Sequence, residues 1–546
     1  MTNYTQYYST RQTPQIQPIP GKGQIKNNAG GYGWKVDKWK QLDRFLILGA
    51  EGSTYYVNQQ QLVVDNANSV MQCIKQDGVK VVDRIVEISD GGRAAKNDPA
   101  LFVLAMCIGF GDLETRKSAY QALNKVARIP THLFSFLEYL KAFKGWSRGL
   151  RNAVSNWYYN NDSLAYHLVK YQQRNSWSHR DVLRLAHTKP QTDLQKVLFH
   201  YAVNGWESVG ETEHPEKELQ IVWAFEKTKR SDSEKEIVDL ILHYGLTREM
   251  LPTKFLNSVN VWEALLEKMP LTAMIRNLGK MSSVGLLEFG SSANQKVIER
   301  LNNREYLHKS RIHPLNVLVA MKTYAQSHGV KGSLTWEPVT QILDALDEAF
   351  YLAFDNVVPT GKRIMLALDV SGSMITQINN LPLSCRDASA ALAMITARIE
   401  KNWMVTIFSS AGSNFMKSGN GNRYGKDGIG VLPISPRQRL DDIIKSVSGL
   451  PFSGTDCALP MLYAQQKKLN FDTFVIYTDN ETWAGNIHPA QALSQYQNTS
   501  GINAKLVTVG MTSSQFSIAD PSRDDMLDVV GFDTATPQLI SSFIAE

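Results

Sequence analysis

The chain has 546 residues, 43% of them hydrophobic and 20% charged, which is the composition of an ordinary soluble globular protein. It is too long to fold around one hydrophobic core, so we expect two or more domains. Its longest apolar runs, such as residues 101–110, are too short to span a bilayer, and its polar N-terminus lacks a secretory pattern. Both features predict a cytoplasmic protein without membrane contact.

The net charge of +6 is unevenly distributed along the chain. Residues 361–546 carry 15 basic and 16 acidic side chains, whereas residues 1–360 carry 43 basic and 36 acidic side chains. An excess of positive charge in the N-terminal part is consistent with a polyanionic partner such as nucleic acid.

Residues 1–32 form a polar stretch that begins MTNYTQYYSTRQTPQIQP. Such a composition buries too little apolar surface to offset the entropy cost of folding. We therefore predict a disordered polar arm ahead of the first domain.

Residues 33–360 show one amphipathic helical pattern after another, with hardly any strand pattern. We predict seventeen short helices in this region. So many helices cannot surround a single core, and helix pairs stacked side by side are the usual arrangement. Such a stack has a long concave surface, and closure of its two ends would make a ring.

Within this array, residues 146–190 are rich in basic and aromatic side chains. Lys170 and Arg174 have i, i+4 spacing and are predicted to share one helix face; Arg180 and Arg184 repeat the spacing on the next helix, and His187 follows. Cations at this spacing match backbone phosphates, and nearby rings can stack on unpaired bases. The alternative interpretation is a solvated helix face with structural tryptophans.

Further basic residues fall in turns between predicted helices. If helix pairs are stacked, loops at alternate positions lie on one rim, and several basic loops would line one opening. An isolated basic turn usually only complements a helix C-terminus. The candidates are Arg128, His132, Arg276, Lys280 and Arg311.

Residues 361–546 alternate strands and helices, which is typical of a doubly wound α/β sheet. The predicted strand 364–370 ends in Asp369, Ser371 and Ser373. Ligand sites in such sheets form outside the carboxyl ends of the strands, and hard oxygen donors favour Mg²⁺, with Mn²⁺ as the alternative. Two later turns carry Thr455 and Asp479, which can add to the same site. The segment 412–437 is rich in Gly and Asn and is predicted to be a long surface loop.

Asp369-x-Ser371-x-Ser373 followed by Thr455 and Asp479 resembles the metal-ion-dependent adhesion site of von Willebrand factor A domains. The resemblance implies that Asp369, Ser371, Ser373 and Thr455 bind the ion directly or through water and that Asp479 anchors the shell. An open position would accept an acidic side chain from a protein partner. A metallonuclease is the enzymatic alternative, but it needs clustered carboxylates, whereas hydroxyls dominate here. The chain has no Walker, GxSxG or HExxH motif, and we expect no enzymatic activity.

Six segments along the chain carry a further resemblance: residues 50–56 (AEGSTYY), 128–134 (RIPTHLF), 174–179 (RNSWSH), 269–272 (MPLT), 276–281 (RNLGKM) and 478–482 (TDNET). Together they resemble the Ro autoantigen family, in which a TROVE ring of HEAT-like helical repeats is closed by a von Willebrand factor A domain. The resemblance covers the chain from about Gly33 onward, with residues 1–32 and 412–437 outside it. These two segments and the plain tails of the chain indicate a bacterial member.

The resemblance implies two RNA sites. Small noncoding Y RNAs would bind the outer helical surface at Lys170, Arg174 and His187, and single-stranded ends of misfolded structured RNAs would enter the central hole. In bacterial members a Y RNA can tether the ring to an exoribonuclease. We therefore expect a noncatalytic RNA-binding protein in RNA quality control. The alternative is a metal-dependent protein-binding scaffold without an RNA role.

Overall fold

A computed structural model describes most of the chain. The segment 50–56 and the first eleven residues of the predicted arm lie outside the described residues. The described residues are 12–49, 59–205, 216–329, 333–354, 358–378, 382–412, 415–416, 423–448, 450 and 453–546.

The N-terminal two thirds of the chain is helical, as predicted. The helices are α1 (Lys38–Leu48), α2 (Gln59–Asp90), α3 (Asp98–Phe110), α4 (Leu113–Val126), α5 (Pro130–Phe143), α6 (Arg148–Tyr159), α7 (Leu164–Lys170), α8 (His179–Ala186), α9 (Asp193–Asn204), α10 (Lys217–Arg230), α11 (Glu234–Tyr244), α12 (Val259–Lys268), α13 (Leu271–Ser283), α14 (Ser292–Asn302), α15 (Arg304–Ser310), α16 (Pro314–Ala325) and α17 (Thr340–Leu352). The backbone of α2 is non-helical at Asp77, which divides it into two helical stretches.

Each helix packs on a neighbour close in sequence, from α2 against α4 through to α16 against α17. This is the packing of a helical-repeat array. The two ends of the array meet: Arg311 Nη1 donates to Asp90 Oδ1 at 2.9 Å, and Asn316 Nδ2 donates to the carbonyl of Ala95 at 3.4 Å. The helical region is therefore a closed ring.

The C-terminal part is an α/β domain with strands and helices close to the predicted positions. Its elements are β5 (Arg363–Asp369), α18 (Cys385–Ile399), β6 (Asn402–Phe408), β7 (Phe415–Met416), β8 (Arg423–Lys426), β9 (Ile429–Val431), α19 (Leu440–Ser448), α20 (Leu459–Gln466), β10 (Thr473–Thr478), α21 (Pro489–Ser500), β11 (Lys505–Gly510), β12 (Phe516–Ser517), β13 (Met526–Val530) and α22 (Thr536–Ala545). Earlier in the chain lie β1 (Ile25–Lys26), β2 (Tyr32–Lys35), β3 (Gln173–Arg174) and β4 (Trp177–Ser178).

The main sheet has the order β13-β11-β10-β5-β6-β9-β8-β7, and β5, β6, β10, β11 and β13 run parallel. The chain goes from β5 to β6 on one side and later returns to β10 on the other side. The carboxyl end of β5 is thus the switch point at which α/β sheets bind ligands. One face of the sheet shares a hydrophobic core with the helical ring, and the other packs under α20 and α21.

The prediction of a long surface loop at residues 412–437 is wrong for the described residues. The segments β7, β8 and β9 form an antiparallel extension of the sheet, and β9 pairs with β6. The turn between β8 and β9 is formed by Asp427 and Gly428, which both have positive φ. A Cβ on Gly428 would lie 2.2 Å from the carbonyl oxygen of Ser410, so the close approach requires glycine.

The predicted disorder of the arm is also wrong for residues 12–32. Strands β1 and β2 pair with each other, and β2 pairs with β12 of the α/β domain. Ile19 is buried in the core under α20 and α21. Polar side chains in this segment are satisfied by residues more than 440 positions away, which composition does not reveal.

No helix within the described part of the chain is long and apolar enough to cross a membrane.

Candidate functional site

The three oxygen side chains after β5 lie together at the end of the strand, and all three are buried. Asp369 Oδ1 accepts from the backbone N–H of Ser371 at 2.8 Å, and Asp369 Oδ2 accepts from Thr478 Oγ1 at 2.7 Å. The hydroxyl oxygens of Ser371 and Ser373 are 3.2 Å apart. The turn therefore presents one carboxylate and two hydroxyls to the same crevice.

The two later loops border this crevice. Asp479 follows β10, next to β5 in the sheet, and Ser373 is hydrogen-bonded to its carboxylate. The Thr455 loop lies opposite, because the backbone N–H of Gly372 faces the carbonyl of Ser453 at 3.5 Å. Thr455 is fully buried, and its hydroxyl has no hydrogen-bond partner among the described residues. A buried hydroxyl without a partner is costly unless a ligand satisfies it.

The electrostatics of this crevice favour a cation. Burial raises the pKa of Asp369 above its ordinary value, with hydrogen bonds from Ser371 and Thr478 acting in the opposite direction. Burial, followed by repulsion from Asp369 and Glu481, raises the pKa of Asp479 to about 8. Two buried carboxylates that oppose each other's ionisation would both be stabilised as anions by a divalent ion.

The donor set fits Mg²⁺ or Mn²⁺, since all five predicted side chains offer oxygen atoms. The described residues bring no three His, Cys, Asp or Glu side chains together as a metal site. The two-metal nuclease alternative needs such a carboxylate cluster, whereas hydroxyl groups make up most of the oxygen donors here.

Arg386 on α18 fixes the turn after β5 by hydrogen bonds, and the sequence did not predict this role. Its buried guanidinium donates to the carbonyl of Ser371 at 3.1 Å and also to that of Val370. An arginine at the start of a helix carries no sequence signal for this role.

Lys170 and Arg174 do not lie on one helix face as predicted. Helix α7 ends at Lys170, and Arg174 belongs to the β3–β4 hairpin, whose turn residues Asn175 and Ser176 both have positive φ. The Lys170 ammonium donates to the Tyr166 hydroxyl at 2.7 Å and lies over the rings of Tyr166 and Tyr171. Lys170 is half-buried, whereas Arg174 is exposed.

Arg174 instead approaches the loop residues that were predicted to line the hole. Burial, then the charges of Arg128 and Arg174, lower the pKa of His132 to about 4. Burial and the nearby charge of Arg311 likewise lower the pKa of Arg128. Arg128, His132, Arg174 and Arg311 therefore gather from three separate parts of the ring: the α4–α5 junction, which carries Arg128 and His132, the β3–β4 hairpin and the end of α15. We refer to these four residues as the basic loop cluster.

Internal contacts fix the geometry of this cluster. Arg128 Nη1 donates to Ser89 Oγ at 3.0 Å, and Asn97 Nδ2 lies 3.3 Å from His132 Nδ1. The side chains of Arg128, Arg174 and Arg311 are all exposed, although neighbouring residues partly desolvate the Arg128 guanidinium. Asp90 neutralises part of this charge through its ion pair with Arg311.

Arg180 and Arg184 share an exposed face of α8, as predicted, and His187 caps the end of that helix. The neighbouring His179 is buried, and its Nδ1 lies 2.9 Å from the Tyr158 hydroxyl, so it has a structural role. The prediction that Arg276 and Lys280 lie in a turn is wrong, because both lie within helix α13. Arg276 is exposed, and Lys280 donates to Asn257 Oδ1 at 2.8 Å.

Comparison with known proteins agrees with this architecture. A family model described as the TROVE domain matches residues 25–323, and one described as the Ro60 vWA domain matches residues 363–544. The chain belongs to the Ro60 family.

Two curated relatives of this Ro60-family chain are both named RNA-binding protein RO60. The protein from Caenorhabditis elegans is 38% identical over 96% of this chain and 90% of its own length. The protein from Deinococcus radiodurans is 38% identical over 100% of this chain and 99% of its own length. The crystal structure of the Deinococcus radiodurans RO (RSR) protein aligns with a TM-score of 0.68 at 38% identity, covering 93% of this chain and 99% of that chain. The family and the fold predicted from the sequence are therefore confirmed.

Proposed function

We propose that this Ro60-family protein binds RNA at two places on its ring and acts in RNA quality control. The basic loop cluster takes a single-stranded RNA end at the central opening, and the exposed face of α8 takes a structured small RNA of the Y class. The names of the two curated relatives support RNA as the ligand.

The observation that carries the proposal is the convergence of the basic loop cluster. Loops distant in sequence bring Arg128, Arg174 and Arg311 near one another and near the ring closure. Like charges brought together repel, so a fold that maintains the arrangement gains from a polyanion at that place. Arginine guanidinium groups also suit phosphate contacts because they donate in a fixed fork.

The second proposed RNA-binding site consists of Arg180 and Arg184. Both are exposed and lie one helical turn apart, which suits phosphates along one RNA strand. His187 extends this face at the end of α8. A Y RNA bound here would leave the basic loop cluster free, so the same protein could be tethered through that RNA to an exoribonuclease that degrades the threaded end.

The test uses two RNA ligands, a closed hairpin and the same hairpin with a single-stranded tail. We expect the double variant Arg128→Ala/Arg174→Ala to lose affinity for the tail while retaining hairpin binding. Loss of two phosphate contacts should also reduce the slope of log affinity against log salt by about 1.4, at about 0.7 per contact for single strands.

The matched control is the double variant Arg180→Ala/Arg184→Ala, which removes the same charge from α8. We expect it to weaken hairpin binding and to leave the contribution of the tail intact. Equal losses of both ligands in both variants would contradict two separate sites. Unchanged binding in both variants would contradict an RNA role for these residues.

We further propose a resident Mg²⁺ at the end of β5. Asp369, Ser371, Ser373 and Thr455 would hold it, with Asp479 anchoring the shell, and an acidic side chain of a protein partner would occupy an open position. The Thr455 hydroxyl has no hydrogen-bond partner among the described residues. It supports this assignment because coordination to the ion would satisfy its oxygen. The ion would supply electrostatic attraction for a carboxylate. If RNA does not co-purify with the protein and neither RNA ligand binds, this metal-dependent scaffold is the remaining function.

A further inference from the structure

Residues 12–32 lie across the loops that carry the candidate metal site. We call these residues the N-terminal segment. Near the start of the segment, the backbone N–H of Gln15 donates to the carbonyl of Gly485 at 2.9 Å. At the end of the segment, the backbone N–H of Tyr32 donates to the carbonyl of Gln15 at 2.8 Å. The segment is therefore fixed at both ends beside the site.

Gln15 bridges two of the site loops. Its Nε2 donates to Asp456 Oδ1 at 2.7 Å, and its Oε1 accepts from Thr482 Oγ1 at 2.5 Å. Asp456 directly follows Thr455, and Thr482 lies three residues after Asp479. The Gln15 side chain is fully buried, so both hydrogen bonds are shielded from water.

Asn27 and Asn28 hold the loop after β10. Asn27 Nδ2 donates to the carbonyl of Thr482 at 2.8 Å. The carboxylate of Glu481 accepts from the backbone N–H of Asn28 at 2.9 Å and from its Nδ2 at 2.7 Å. The backbone N–H of Glu481 in turn donates to Asp479 Oδ1 at 3.1 Å. A chain of hydrogen bonds therefore runs from Asn28 to the anchoring carboxylate.

The N-terminal segment and these loops are packed in close contact at two glycines. A Cβ on Gly31 would lie 2.0 Å from the carbonyl oxygen of Thr482. A Cβ on Gly485 would lie 2.3 Å from Gln15 Nε2 and 2.4 Å from Asp456 Oδ1. Glycine at both positions lets the backbones approach closely enough for the side-chain bridges to form.

We propose that Gln15 and Asn28 are positioning residues for the metal site, so that its affinity depends on a segment at the opposite end of the chain. Gln15 fixes the distance between the Thr455 and Asp479 loops, and Asn28 fixes the Asp479 loop through Glu481. Partners that orient metal ligands typically contribute 10- to 100-fold in affinity. The inference rests on the metal site proposed above.

The experiment measures Mn²⁺ binding to the full chain by electron paramagnetic resonance, together with the melting temperature with and without Mn²⁺. We expect Gln15→Ala and Asn28→Ala each to reduce Mn²⁺ affinity by roughly 10- to 100-fold. The matched control is Lys22→Ala, which removes an ion pair with Asp520 from the same segment. It should bind Mn²⁺ as the wild type does.

The melting temperatures separate positioning from general stability. We expect Gln15→Ala to lower the metal-free melting temperature most, because it leaves buried polar groups unpaired, and Asn28→Ala and Lys22→Ala to lower it less. The Mn²⁺-induced increase should be reduced for Gln15→Ala and Asn28→Ala but not for Lys22→Ala. Wild-type Mn²⁺ affinity in both variants would overturn the inference while leaving the metal site intact. The inference is also overturned if affinity falls only in proportion to metal-free unfolding. If neither the wild type nor Lys22→Ala binds Mn²⁺, the proposed metal site itself is wrong.

Discussion

His313 Nε2 donates to the carbonyl oxygen of Phe532 at 2.9 Å and lies 3.2 Å from the carbonyl oxygen of Arg93. Its Nδ1 accepts from the backbone N–H of Leu315 at 3.1 Å and so caps α16. One neutral imidazole therefore joins the last helices of the ring, the start of the ring and the α/β domain. Arg93 reinforces the same joint through its ion pair with Asp533.

The first prediction is that four buried histidines destabilise the fold as the pH falls from 6.5 to 4, while buried carboxyl groups with a raised pKa, such as Asp479, act in the opposite direction. Burial lowers the pKa of His132, His167 and His313 to about 4 and that of His179 to about 3. Unfolded histidines bind a proton near pH 6.5, while these stay neutral in the fold. The unfolded state therefore binds more protons, and each histidine lowers stability by up to about 1.4 kcal/mol per pH unit. Denaturant unfolding between pH 8 and 4, compared between the wild type and variants that replace single histidines, isolates the histidine contribution.

His313→Asn tests the contribution of the joint itself. Asparagine can still cap α16, but it is too short to reach the Phe532 carbonyl. We expect a loss of about 1–3 kcal/mol at pH 7, because a buried acceptor loses its donor. The pH dependence should become flatter by up to one proton. Parallel stability curves for the variant and the wild type would contradict the assignment.

The second prediction concerns the buried ion pair between Arg44 on α1 and Asp528 on β13. The guanidinium contacts both carboxylate oxygens, at 2.6 and 2.8 Å, and donates to the carbonyl of Ser514 at 2.7 Å. Arg44→Ala leaves a buried charge unpaired, so we expect a loss of about 3–5 kcal/mol. The exposed pair Lys254–Asp232 is the control, and Lys254→Ala should cost at most about 1 kcal/mol. Equal losses in the two variants would contradict the role of burial.

The sequence predicted that the side chains of the candidate metal site lie together, because local signals coincide there. An apolar strand, a turn at Gly372 and three closely spaced oxygen side chains occur within eleven residues of one another. Asp479 also follows a recognisable apolar strand, and adjacent parallel strands end at the same sheet edge. By contrast, Gln15 and Asn28 reach the site from more than 440 residues away. Such contacts depend on the completed fold and leave no periodic pattern in either segment.

Arg174 illustrates a second limit of sequence reasoning. Its spacing from Lys170 fits one helical turn, and no Gly or Pro interrupts the segment. The chain nevertheless leaves the helix at Tyr171 and turns through Asn175 and Ser176, both in the left-handed region. Such two-residue turns usually contain Asn-Gly, so Asn-Ser gives only a weak hairpin signal. The resulting hairpin moves Arg174 from the predicted outer face to the basic loop cluster.

The third prediction is that Asp369→Ala abolishes Mg²⁺ binding and leaves RNA affinity largely unchanged. The substitution removes the carboxylate of the β5 turn, and Mg²⁺ gives up its water reluctantly without carboxylates. The residues proposed to bind RNA lie on the helical ring, away from this turn. Calorimetry with Mg²⁺ and titration with the tailed hairpin test the two statements separately. Retained Mg²⁺ affinity would contradict the metal assignment, and a large loss of RNA affinity would indicate that the domains are coupled.

The fourth prediction separates Lys170 from Arg174, which the sequence placed on one face. The Lys170 ammonium is already engaged by Tyr166 and Tyr171, whereas the Arg174 guanidinium is exposed beside His132. We expect Arg174→Ala to lower the affinity for the tailed hairpin by about tenfold, equivalent to about 1.4 kcal/mol.

Lys170→Ala should instead reduce the free energy of unfolding by about 0.5–1 kcal/mol, the usual contribution of a cation over an aromatic ring, and should change the tail affinity little. Lys401→Ala, an exposed lysine of the α/β domain, controls for the loss of net charge. Titrations of all three variants with the tailed and closed hairpins at two salt concentrations decide the matter. If Lys170→Ala and Arg174→Ala weaken the same ligand equally, the two residues contact one RNA site, and the separation argued from the hairpin geometry is wrong.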